Sequence, residues 1–142
     1  MRSLLDVNVL IALFDADHSL HASAMRWFDE NGKDGWASCP ITQNGCIRVM
    51  SQPGYPNPLP VNVVAERLRQ AAAHARHDFW ADDVSLLDPG AVDTSRVHGP
   101  KQVPDVYLLA LAVARGGRLV TFDRSVPIAA VPGAEKRHLV TI

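Results

Sequence analysis

Residues 103–124, VPDVYLLALAVARGGRLVTFDR, constrain this chain more than any other stretch. Pro104 suits a first helical position, and Tyr107, Leu108, Leu111 and Val113, spaced by alanines, continue a mostly apolar helix until Gly116-Gly117 stops it. Arg118 to Phe122 is short and apolar, Val120, Thr121 and Phe122 favour the extended state, and the run ends on Asp123. A helix of about eleven residues at roughly 1.5 Å each carries the chain some 16 Å from Asp105. A strand of about five or six residues at roughly 3.3 Å each brings it back. Asp105 and Asp123 are therefore expected at one edge of the structure. Taken alone, the pair reads equally well as a helix-start acid and a strand-end cap.

The N-terminus weakens that reading. Residues 1–6, MRSLLD, form a short strand signal that also ends on an acid, Asp6, and an apolar helical run from Val7 to Phe14 follows. Strands alternating with helices predict a parallel sheet, in which the ligand site lies outside the carboxyl ends of the strands. Asp6 and Asp123 share that edge. Three carboxylates gathered there repel one another and have raised pKa values unless a cation sits among them. The donors are all oxygen, with no cysteine or histidine comparably placed, which favours Mg²⁺ or Mn²⁺ over Zn²⁺. Such ions bind phosphates, so phosphoester chemistry is the natural class. Arg124, next to Asp123, reads either as a phosphate contact or as a surface arginine.

The 142 residues suit one domain with one core. A net charge of −1 gives no bulk attraction to nucleic acid, so any polyanion contact must come from local Arg and Lys. Cys39 and Cys46 match neither a CxxC spacing nor a disulfide framework and read as reduced core residues of a cytosolic protein. No apolar run is long enough to span a membrane, and the apolar start lacks a signal peptide's cleavage region.

Along the rest of the chain, Leu20, Ala24, Trp27 and Phe28 place an apolar stripe on a second helix, ended by Asn31-Gly32. GWASC, residues 35–39, is a second strand, and Pro40 with ITQNGCIRVM predicts a third helix. Gln43 then falls in that helix's first turn, at the edge where the acids gather. Residues 52–60, QPGYPNPLP, form a loop, and a further helix runs from near Asn62 through Ala75. His18 with His21, and His74 with His77, have a metal-compatible spacing but no third ligand nearby, so both pairs read as solvated. Asp82-Asp83 ends no clear strand and reads as a surface turn. RHLVTI, residues 137–142, offers a final edge strand.

LLDVNVLIALFD, WASCPITQNGCIRV and VPDVYLLALAVARGGRLVTFDR, in this order and spanning nearly the whole chain, resemble the PIN-domain nucleases, specifically the VapC toxins of bacterial toxin–antitoxin pairs. The resemblance implies a three-layer α/β/α fold with a central parallel sheet. It also implies an acidic pocket that binds Mg²⁺ or Mn²⁺ and cleaves RNA, a homodimer, and inhibition by a cognate VapB-type antitoxin. Carried over, Asp6, Asp105 and Asp123 match the first, third and fourth acids, all metal ligands. Asn8 matches the small polar residue that helps hold the pocket. Gln43 departs from the pattern, because the family usually has glutamate there, and Pro104 stands where a threonine often precedes the third acid. An amide offers one carbonyl oxygen but no negative charge, and it cannot take a proton from water. The expectation is a weakened nuclease. Its alternatives are a silent binding module on the same fold, which Gln43 favours, and a covalent phosphatase using Asp6, which Asn8 disfavours because it stands where that chemistry needs a second acid.

Overall fold

The computed structural model describes residues 1–142. Strand β1 (Ser3–Leu5) runs directly into helix α1 (Val7–Phe14), followed by α2 (His21–Asn31), β2 (Trp36–Ser38), α3 (Pro40–Met50) and α4 (Val61–Ala72). Strand β3 (His77–Phe79) closes this half. After a long irregular segment come α5 (Val103–Ala114), β4 (Arg118–Thr121) and β5 (Leu139–Thr141). The five strands form one sheet in the order β3-β2-β1-β4-β5, and every pairing is parallel. The chain therefore builds outward from β1 to β3, then returns to place β4 on the other side of β1. The order reverses between β1 and β4, and in open parallel sheets the crevice outside the carboxyl ends at such a point is where ligands bind.

Two-residue alternation along the strands separates two cores. Leu4, Ala37 and Leu119 face α5 and the C-terminal turns around Ala130 and Val131. Leu5, Trp36 and Val120 face α1, α3 and α4 through Val9, Leu10, Cys46, Met50, Val64 and Leu68. Helix α5 is buried without interruption from Val106 to Ala112, because the sheet covers one side of it and the C-terminal turns another. Gly116, with φ of +66°, ends its turn in the left-handed conformation that glycine adopts without strain.

Helix α4 stops at Ala72, short of the expected Ala75, and this frees residues 77–79 to pair with β2. His77 is therefore a strand residue, partly buried, and not a solvated helical one. Asp82 is no simple surface turn either: its Oδ2 accepts from the backbone N–H of Ile41 at 3.1 Å, capping α3 from another segment. Asp83 pairs with Arg115 at 2.8 Å. His18 accepts from the N–H of Leu20 at 3.0 Å, and His21 lies 2.7 Å from the carbonyl of Ala12, so these two do not form a metal pair. Cys39 and Cys46 are free and buried, and burial pushes their thiols up to about 11 and about 12. The C-terminal run pairs as expected, at the edge next to β4. No helix is long and apolar enough to cross a membrane.

Candidate functional site

Asp6 leaves β1 and caps α1, its Oδ1 accepting from the N–H of Val7 at 2.7 Å. Its Oδ2 accepts from the Thr121 hydroxyl, also at 2.7 Å, and the residue is only 6% exposed. Thr121 ends β4, and β4 pairs with β1 in the register that sets Leu5 beside Val120. The same hydroxyl oxygen accepts from the N–H of Asp123 at 3.0 Å. Thr121 thus bridges two acids contributed by two adjacent strands. Asp123 is held on its other side by Ser125, whose N–H and hydroxyl both reach its Oδ1 at 2.7 Å.

Asp105 joins them from the first turn of α5. Burial, then the charge of Asp6, then a hydrogen bond with Asp123 push its carboxyl up to about 7. Two carboxylates bond to each other only by sharing a proton. Asp123 is held below the ordinary range, first by Ser125 and further by Asp105, so Asp105 is the acid of the pair that takes up a proton first as pH falls. Asp6 is raised, chiefly by burial and also by the charge of Asp123, while its bonds to Thr121 and Val7 oppose the rise. The structure therefore brings Asp6, Asp105 and Asp123 together at the point where the strand order reverses.

Gln43 lies in the first turn of α3 at the same sheet edge. None of the acids' hydrogen bonds involves it. Its amide donates instead to Ser38 Oγ at 2.9 Å, and that oxygen lies 2.8 Å from Nε2 of His77. Gly45 explains how α3 comes so near α1: a Cβ there would meet Val7 Cγ2 at 2.6 Å, a separation that real side chains do not reach. Asn8, on the first turn of α1, holds its Oδ1 shielded from solvent with no partner. Arg124 is exposed and forms no ion pair. The Gln102 side chain donates to the Ser125 carbonyl at 3.1 Å, tying the start of α5 to the turn after β4; Lys101, one residue before, is exposed.

The donor set fits a hard divalent cation. It consists of oxygens, and the like charges and burial that push the Asp105 carboxyl up to about 7 are what a cation would offset; Asn8, two residues after Asp6, carries an orphaned buried acceptor. No three His, Cys, Asp or Glu side chains lie close enough together to hold an ion directly, so the fit rests on the chemistry of the donors and not on a closed cage.

Thr121, Ser125, Ser38 and His77 were not anticipated from sequence. Thr121 carried a signal, a hydroxyl two residues before Asp123 in an otherwise apolar strand. The other three carried none.

The PIN domain family profile matches residues 3–132. The chain is 55% identical over 142 residues to "Ribonuclease VapC44" of Mycobacterium tuberculosis, covering 100% of both chains. Among solved structures it resembles M. tuberculosis VapC20, described as a "Sarcin-Ricin loop cleaving toxin", with a TM-score of 0.64 at 11% identity, over 91% of this chain and 95% of that one. A toxin–antitoxin complex from Klebsiella pneumoniae matches with a TM-score of 0.61 at 18% identity, over 97% of this chain and 99% of that one. A parallel sheet whose order reverses beside three acids, a profile match over most of the length and a full-length ribonuclease relative agree, and this chain belongs to the PIN-domain family of VapC ribonucleases.

Proposed function

We propose that this single-domain protein is a Mg²⁺- or Mn²⁺-dependent endoribonuclease of the cytosol and the toxin of a type II toxin–antitoxin pair, with activity lowered by Gln43. The observation that carries the reading is the gathering of buried Asp6, Asp123 and Asp105 at the strand ends, with Thr121 joining the first two, a carboxylate cluster that a cation relieves. Asp6, Asp105 and Asp123 hold the ion. A bound Mg²⁺ or Mn²⁺ lowers the pKa of water and balances charge that develops on the phosphodiester. Thr121 keeps Asp6 aimed, Ser125 keeps Asp123 ionised, and Asn8 offers an acceptor to water in the pocket. Gln43 accepts a hydrogen bond from water or from a ribose hydroxyl but takes no proton, which removes one general-base step and slows cleavage. Arg124 meets the RNA backbone.

An antitoxin of the VapB type needs an apolar face to grip. A groove of ≈ 320 Å³ between α1, α2 and α4, walled by Leu10, Leu13, Phe14, Met25 and Phe28, supplies one. The family resemblance puts the antitoxin's tail at the acid cluster, with this groove as a further apolar contact, and the homodimer rests on the same resemblance.

The test is cleavage of total cellular RNA by the native chain and by Gln43→Glu, each with Mg²⁺, Mn²⁺ or chelator. Metal-dependent cuts that Asp105→Asn abolishes are expected. Intact RNA in every lane, from protein that still binds its partner, would replace the enzyme with a binding module, a reading that the uncharged Gln43 supports.

A further inference from the structure

The row Gln43–Ser38–His77 shares no hydrogen bond with the acid cluster. We propose that Ser38 and His77 are positioning residues that lock the Gln43 amide in one orientation, with its carbonyl oxygen free to accept, and that this lock is built for glutamine and not for glutamate. The lock stands whether or not the chain cuts RNA; only its effect on cleavage rests on the nuclease reading.

A serine hydroxyl carries one proton, so the row can run in two polarities. In the first, the Gln43 amide donates to Ser38, and Ser38 donates to an unprotonated Nε2 of His77. In the second, His77 donates through Nε2–H, and Ser38 donates to the Gln43 carbonyl. The placement of the amide selects the first: its nitrogen donates to Ser38 Oγ at 2.9 Å, so the Ser38 proton is left for Nε2 of His77, 2.8 Å away. A second proton is disfavoured. The ring is partly buried, lies against Trp36 with centroids 4.4 Å apart, and faces Arg2, whose guanidinium is anchored 2.7 Å from the Arg76 carbonyl. Asp78, on the same strand, opposes this but does not outweigh burial. Ser38 is 1% exposed, so its proton has no water to turn to. With the amide nitrogen committed at 2.9 Å, Gln43 Oε1 is the end left without a protein partner.

A carboxylate at position 43 has no N–H to give. Ser38 would have to donate to it, and Nε2 would then face a hydroxyl oxygen with no proton between them. The row closes again when His77 donates through Nε2–H, and a carboxylate at the far end of the row favours the imidazolium over the other neutral tautomer. Gln43→Glu is therefore coupled to protonation of a histidine on β3 through one hydroxyl.

The experiment is a double-mutant cycle on the intact, metal-free protein, read by NMR titration of the His77 imidazole in the native chain, Gln43→Glu, Ser38→Ala and the double variant. Gln43→Glu should raise the His77 midpoint by about one unit or more. In the Ser38→Ala background the same substitution should raise it by clearly less. A midpoint that does not rise, or an equal rise in both backgrounds, would overturn the lock, the second because charge alone would then explain it. Ser38→Ala by itself should also raise the midpoint, since it removes the donor to neutral Nε2, and an unchanged value would count against the lock. For cleavage, Ser38→Ala should lower kcat severalfold with KM little changed. Titrations as expected with no cleavage by any form would sink the nuclease reading and leave the lock standing.

Discussion

At the residue scale, the shifted acids set the expected response to pH, and the proposed cation would act on the same groups. Asp105 has a folded-state pKa of about 7 against an ordinary value of 3.8, so between these limits the folded state binds more protons than the unfolded one. Stability contributed by this group is present below about pH 4 and is lost as pH rises towards 7. Asp6, also raised, acts in the same sense, while Asp123, lowered, acts oppositely but only below its ordinary 3.8. The chelated protein should lose thermal stability from pH 4 to 7, Mn²⁺ should restore it at neutral pH, and Asp105→Asn should flatten both effects. A melting temperature independent of pH and of Mn²⁺ would argue against the cluster as a cation site. Thr121 is the second test. Its hydroxyl serves Asp6 and the Asp123 N–H at once, so Thr121→Val strips a buried carboxylate of a donor and orphans an N–H. Denaturant titration should show a loss of about 1–3 kcal/mol, and calorimetry should show weaker Mn²⁺ binding.

At the scale of elements, the contact between α1 and α3 decides whether Gln43 reaches the same edge as Asp6. Gly45 makes it possible, because Val7 occupies the space a Cβ would need. Gly45→Ala should destabilise the fold by roughly 1–3 kcal/mol through overpacking, and Val7→Ala in the same chain should recover part of the loss. Failure of the second change to compensate would place the strain elsewhere. The turn between β4 and the C-terminal segment matters in the same way, since Ser125 both holds Asp123 and receives Gln102 through its carbonyl. The spacing of Asp105 and Asp123 was legible because a helix followed at once by a strand has a length that backbone rise alone dictates. The short β3 was not legible. HDF lacks an apolar alternation, and only pairing with β2 makes it a strand.

At the scale of the whole molecule, the acid cluster at the strand ends and the apolar groove between α1, α2 and α4 share no residue, so a substitution on the groove wall leaves the acids in place. Met25 is 38% exposed on the groove wall. Met25→Asp should leave folding and metal-dependent cleavage intact while weakening capture of the antitoxin by at least tenfold, measured by calorimetry. Light scattering at micromolar concentration should return twice the monomer mass; a monomer would remove the proposed dimer. Asp6, Asp105 and Asp123 could be expected at one edge from the sequence, because each sits at a strand end or helix start whose place follows from local periodicity. The sequence by itself thus pointed to the parallel sheet and the shared edge, while the three layers and the charge expected at position 43 came from the family resemblance alone. Only the tertiary structure decided the strand order β3-β2-β1-β4-β5, the Thr121 bridge, the Asp82 cap on α3 and the Ser38–His77 hold on Gln43. Those partners lie tens of residues apart or more along the chain, and which side chains meet across a sheet is settled by the packing of its two cores and not by any interval within one element.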